Sequence, residues 1–117
     1  MATRTLVQLS KAVMEKLALI DSHGSVAAVD HQTIVDRYTE IMEQLRDENI
    51  AYWDDGAVPL LVFGAVTDLV ALHVAPSFGA PLVPITKIEE AEVSIKRRIK
   101  RHTKKYASGD EAEMVDF

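Results

Sequence analysis

Residues 50–79 read Ile-Ala-Tyr-Trp-Asp-Asp-Gly-Ala-Val-Pro-Leu-Leu-Val-Phe-Gly-Ala-Val-Thr-Asp-Leu-Val-Ala-Leu-His-Val-Ala-Pro-Ser-Phe-Gly, and their reading decides the fold. An aromatic pair, Tyr52 and Trp53, leads into the acidic turn Asp54-Asp55-Gly56. Pro59 has a fixed φ and no N–H to lose, which suits the first turn of a helix. The segment from there to about Val74 is apolar on almost every side, and its few polar residues are Thr67, Asp68 and His73. A helix apolar all round belongs at the centre of a bundle. A strand over Ala57–Phe63 is the competing reading, because Val and Phe favour strands and a short apolar run fits both periods. Pro76, Gly79, Pro81 and Pro84 then make Pro76–Ile85 a loop.

Working outward, the flanking segments are one-sided. Thr5-Leu6-Val7-Gln8 has the form of a capping box, and Leu6, Leu9, Val13, Leu17 and Ile20 follow at helical spacing. A helix is expected over about 5–19, ending before His23-Gly24 with the glycine as a left-handed stop. Asp30 is the expected cap of a second helix, over about 30–48. That helix carries Ile34, Tyr38, Ile41 and Leu45 on one face and Arg37, Glu40, Glu43 and Asp47 mainly on the other. Thr86-Lys87-Ile88-Glu89 is a second capping box. It opens a long helix with a narrow stripe of Ile88, Ile95, Ile99, His102 and Tyr106, and Ser108-Gly109 is its expected end. The expected fold is all-α. It is a small bundle with a central buried helix and a long C-terminal helix over residues 1–106, followed by a flexible, extended acidic tail over 107–117.

Composition narrows function by exclusion. At 117 residues the chain has the length of one domain, and nearly half of it is apolar, enough for a core. With no cysteine it has neither disulfides nor a thiol nucleophile, which fits a cytosol-like folding compartment. No signal peptide is expected at the N-terminus. The apolar run Ala57–Phe63 is too short to span a bilayer, and Asp68 interrupts its continuation. The net charge of −5 argues against a dedicated nucleic-acid binder, but it hides a split. Seven basic residues lie between Lys96 and Lys105, whereas four acidic and no basic residues lie between Ala107 and Phe117.

Chemistry has few candidates. His23, His31, His73 and His102 lack metal-ligand spacing, so no metal site is expected, and His73 reads as a hydrogen-bonded histidine at the core edge. Asp54 and Asp55 have the form of paired carboxylates, yet Asp-Asp-Gly is also ordinary turn chemistry. Asp68, inside the apolar helix, must find a partner. The five glycines are isolated, which excludes a phosphate loop, and no Ser/His/Asp pattern rises above chance. No catalytic residue and no cofactor are expected. The basic run, with Lys96, Arg97, Lys100, Arg101 and Lys104, is the candidate binding surface, facing phosphates, an acidic protein rim or only solvent. Met114, Val115 and Phe117 are awkward on a purely solvating tail. An acidic segment with apolar anchors can order on a partner.

The order of turn, proline, helix and Ala-Pro-x-Phe-Gly resembles the head-to-tail adaptor, or head-completion, proteins of tailed bacteriophages. The resemblance covers about residues 3–106. It is carried by Tyr52, Trp53, Asp54, Asp55, Val58 and Pro59 in the turn, and by Ala75, Pro76, Phe78 and Gly79 at the close. It implies a non-catalytic virion protein of the neck, assembled in the host cytoplasm and without membrane contact. Many copies, usually twelve, would ring the portal protein, extend the DNA channel without sequence-specific contact, and dock tail or stopper proteins. By this likeness the helix from Thr86 and the tail through Phe117 face the portal, with Lys96, Arg97, Lys100, Arg101, Lys104, Met114, Val115 and Phe117 meeting it or a neighbouring subunit. The alternative is a small helical DNA-binding or regulatory protein that uses the basic helix.

Overall fold

The computed structural model describes residues 2–79 and 82–116, with the backbone alone for residue 85 and residues 103–116. The chain is mostly helical. Its elements are strand β1 (Thr3–Arg4), helices α1 (Leu6–Lys16) and α2 (Ala28–Asp47), strand β2 (Val58–Pro59), and helices α3 (Leu60–Val74) and α4 (Ile88–Asp116).

Helix α1 starts as its sequence dictates. The Thr5 side chain accepts from the Gln8 N–H and the Gln8 side chain accepts from the Thr5 N–H, which completes the capping box. Its end differs from expectation. Ala18 takes the left-handed conformation (φ 59°), so the helix stops six residues before Gly24. The Leu19 N–H reaches Met14 O at 3.0 Å and the Ala18 N–H reaches Glu15 O at 2.9 Å, the two bonds of a Schellman motif. Helix α2 ends in the same way on Asn49 (φ 60°), with Ile50 N–H to Leu45 O at 2.7 Å and Asn49 N–H to Arg46 O at 3.0 Å. The α2 stop places Ile50 in the core, whereas Leu19 after the α1 stop is exposed. Burial of Ile50 offsets the strain of Asn49 in this conformation. Gly24 serves close approach instead, since a Cβ there would stand 3.0 Å from Ile20 Cβ.

Asp30 does not cap α2. The helix begins at Ala28 after an Ala27 cap, so Asp30 lies in the first turn and favours the macrodipole. Thr86 likewise sits inside a 3₁₀ turn, Ile85–Lys87, and α4 starts after it at Ile88. The helical backbone of α4 continues past Ser108-Gly109 to Asp116, without the stop expected there. Glu, Ala and Met in 111–114 are strong helix formers, and one interior glycine costs only about 1 kcal/mol. The Pro76–Ile85 loop opens with a 3₁₀ turn, Ala75–Phe78, closed by left-handed Gly79 (φ 68°).

The strand alternative over Ala57–Phe63 survives only as β2. Val58 pairs with Arg4 and Pro59 with Thr3, antiparallel, a clip that the sequence did not suggest. Its role lies at the start of α3, where the Leu60 N–H donates to Ala2 O at 3.0 Å and so gains a partner outside the helix. Helix α3 packs against α1, α2 and α4. Val62, Val66, Leu69 and Val70 are fully buried among Leu9 and Val13 of α1, Ile34, Tyr38, Met42 and Leu45 of α2, and Ile99 of α4. Burial of each large side chain contributes about 1.5–3 kcal/mol. Among the described residues, one stretch, Leu60–Phe78, is long and apolar enough to cross a membrane; over half of it is buried inside the protein.

Candidate functional site

The turn between α2 and α3 is held from behind. Trp53 Nε1–H donates to Tyr38 Oη at 3.2 Å, and Tyr38 Oη–H donates to the Asp55 carbonyl oxygen at 3.0 Å. Arg46 donates to the Trp53 carbonyl oxygen at 3.0 Å and forms an ion pair with the Asp55 carboxylate. Tyr52 meets Trp53 edge to face, with ring centroids 5.1 Å apart. Burial pushes the Tyr38 hydroxyl up to about 12, so it stays a proton donor across the whole neutral range. Asp54 is exposed, and its carbonyl oxygen accepts from the Ala57 N–H at 3.1 Å to close the turn. Pro59 is buried as the cap residue of α3. At the far end of α3, Pro76 is exposed and Phe78 packs on the core. These motif residues are joints between elements.

A second network ties α4 to the body. Asp68 has the partners its position requires, Arg98 at 2.9 Å and Lys16 at 3.3 Å. Glu92 lies 2.9 Å from Lys96 and 3.6 Å from His73 Nε2, and Lys96 also reaches Glu48 at 3.1 Å. Burial alone would lower the Lys96 pKa, but hydrogen bonds to Glu92 and Glu48 outweigh it and hold the ammonium above its usual range. Lys96 therefore works within its own molecule and is not a free cation for a partner.

His73 is shifted the other way. Burial lowers its pKa below the ordinary 6.5, the Glu92 carboxylate opposes, and the positive charges of Arg37 and Lys96 add to the lowering. The fold thus favours the neutral ring. Its contribution to stability is fully present above 6.5 and is lost as pH falls through the lowered folded value. Between pH 7.5 and 5, the urea midpoint is expected to fall less in His73→Gln than in the wild type. Parallel curves for the two proteins would place the acid sensitivity elsewhere.

With Lys96 and Arg98 engaged, the exposed cations of α4 among the described side chains are Arg97, Lys100 and Arg101. Arg97 and Lys100 flank an open groove of about 640 Å³ between α4 and the end of α2, with Ile50 and half-exposed Val93 as its apolar part. The side chains of Lys104, Met114, Val115 and Phe117 lie outside the described residues.

The structure also joins two residues that the sequence did not connect. The Ser10 hydroxyl lies 2.7 Å from His31 Nδ1 and 3.1 Å from the Val7 carbonyl oxygen, beside a groove of about 420 Å³ with Val7, Lys11 and Val26 in its walls. Their separation of 21 residues, on two different helices, carries no motif. Ser10 is buried at this contact between α1 and α2, so the pair acts as a polar tie rather than an accessible nucleophile. Among the described residues, no group of three or more His, Cys, Asp or Glu side chains is placed to hold a metal ion.

No protein-family profile, curated protein or solved structure matches the chain.

Proposed function

We propose that the chain is a non-catalytic structural protein, the head-to-tail adaptor of a tailed bacteriophage, ringing the portal in the virion neck. The observation that carries this reading is the use made of the motif residues. Trp53, Asp55 and Pro59 join α2 to α3, and Asp55 is engaged by Arg46. The residues that carry the resemblance are thus spent on architecture, as in a protein whose product is a shape. In this reading α3 is the central helix of the bundle. Copies surround the DNA channel, the acidic C-terminal segment with Met114, Val115 and Phe117 anchors on the portal, and the rest of the ring docks a tail or stopper protein.

The test is co-expression with the portal protein encoded nearest its gene. A stable complex is expected, with the chain as a ring in particle images. Residues 108–116 already belong to α4, so in this reading a portal groove meets a helical segment through apolar contacts. Deletion of residues 108–117 is expected to leave a folded domain that no longer occupies the portal. Normal occupancy without the tail would move the anchor to the helical body. Absence of any portal complex, together with tight duplex binding through Arg97, Lys100 and Arg101, would favour the DNA-binding alternative.

A further inference from the structure

The cations that α4 does not use within its own molecule have a counterpart on α2. Both helices turn one face to the core, Ile34, Tyr38, Ile41 and Leu45 on α2 and Ile95 and Ile99 on α4. On the opposite, solvent-facing side, α2 carries Val29, Asp36, Glu40, Glu43 and Asp47, all exposed. The solvent-facing side of α4 carries Val93, Arg97, Lys100 and Arg101, also exposed. We propose that this outward face of α4 docks on the outward face of α2 in a second copy of the chain. The inference rests on the ring reading for its closure and names the faces that make the subunit contact.

Three observations support it. The first is the selection of charges. Lys96 and Arg98, which flank the outward stripe, are neutralised by Glu48, Glu92 and Asp68, whereas Arg97, Lys100 and Arg101 have no ion-pair partner among the described residues. On α2, Glu43 and Asp47 likewise have none among the described residues, while Glu40 is paired with Arg37 of its own helix at 3.0 Å. The second is register. Val29, Thr33 and Asp36 follow one another at intervals of four and three residues, and Val93, Arg97 and Lys100 do the same. These intervals keep each set on one side of its helix. Laid parallel, the two stripes bring Val29 to Val93, Thr33 to Arg97 and Asp36 to Lys100. Laid antiparallel, they set Val93 against carboxylates. The third is exposure of the valines, 77% for Val29 and 55% for Val93, which a solvated charged face does not need.

The two faces look away from the same core, so one molecule cannot join them, and in the ring reading the contact between copies is head-to-tail. Such heterologous contacts close into rings when the rotation permits. Duplex DNA is the poorer occupant of α4, since it would set Val93 against phosphates and leave the acidic stripe of α2 unmatched. Exposed ion pairs are individually weak and screened by salt, so the association is expected to be weak in free solution and sharply salt-dependent.

The absence of native cysteine makes a direct test simple. Val29→Cys and Val93→Cys chains, purified separately, are mixed at low salt and oxidised. A disulfide-linked heterodimer is expected, in several-fold excess over a mixture of Val29→Cys with Leu61→Cys, and lost at high salt. Adding Arg97→Glu and Lys100→Glu to the Val93→Cys chain should abolish the cross-link, and adding Asp36→Lys and Glu40→Lys to the Val29→Cys partner should restore it. A yield no better than the Leu61→Cys control, or no restoration by the charge exchange, overturns the pairing. So does loss of the cross-link on deletion of residues 107–117, which would show that the tail and not the pairing of these faces holds the two copies together. The two readings separate cleanly. Portal complexes that form without the 29–93 cross-link refute this contact and keep the adaptor, whereas a cross-link without portal binding keeps the contact and refutes the adaptor.

Discussion

Leu69→Asp is expected to leave the protein unfolded at room temperature. Leu69 is fully buried on α3, the helix that touches all three others. A carboxylate there loses its hydration and gains no partner, a cost of several kcal/mol on top of the lost apolar burial. A domain of this size has only about 5–15 kcal/mol of stability to lose. The neighbouring position is the control. Asp68 is the same chemical group one residue earlier, but its side chain is about a quarter exposed and is held by Lys16 and Arg98. Asp68→Leu is therefore expected to fold, with a modest change in melting temperature. Far-ultraviolet circular dichroism and size exclusion on both variants decide the matter. A helical, monodisperse Leu69→Asp protein would show that α3 does not hold the bundle together.

The contrast between positions 68 and 69 also marks how far the sequence could be read. Helical periodicity located α1, α2 and α4, because one-sided stripes such as Ile34-Tyr38-Ile41-Leu45 are a direct image of a buried face, whereas α3 was read from Pro59 and its all-round apolarity. The capping box at Thr5 was legible for the same reason, since both partners lie within four residues. What failed was chemistry with weak local signatures. The left-handed stop of α1 fell on Ala18 instead of Gly24, closed by backbone hydrogen bonds to Glu15 and Met14 that glycine counting does not register, whereas α2 ended at Asn49 as its sequence suggested. The clip of Thr3–Arg4 on Val58–Pro59 involves two residues a side, too few for any alternation. Asp68 visibly needed a partner, but only folding shows that Lys16 and Arg98 supply it. The candidate surface was legible only as a run of like charges. Periodicity alone separates Arg97 and Lys100 from Lys96 and Arg98 poorly. Glu48, 48 residues away from Lys96 in the chain, makes the distinction.

Trp53→Ala is expected to be the most damaging truncation in the α2–α3 turn, at about 3–5 kcal/mol, the usual cost of removing a buried large aromatic. Area is only part of the reason. Trp53 is the outer link of a chain in which its Nε1–H donates to Tyr38 Oη and that hydroxyl donates to the Asp55 carbonyl oxygen. Arg46 closes the loop from the other side by holding the Trp53 carbonyl oxygen and the Asp55 carboxylate. Without the indole, Tyr52 loses its edge-to-face neighbour, and a cavity opens beside Tyr38. Trp53→Phe separates the two contributions, because it keeps most of the volume and removes only the donor. Its cost should be near that of one buried hydrogen bond, about 1 kcal/mol. Asp55→Asn should cost less still, since the turn bond runs through the carbonyl oxygen of residue 55 and the ion pair with Arg46 is half exposed. Urea titrations of the three variants, with the slope checked for constancy, give the order Trp53→Ala, then Trp53→Phe, then Asp55→Asn. If Asp55→Asn instead proved the most destabilising, the carboxylate and not the aromatic stack would fix the angle between α2 and α3. The turn between α2 and α3 would then be an electrostatic joint rather than a packed one.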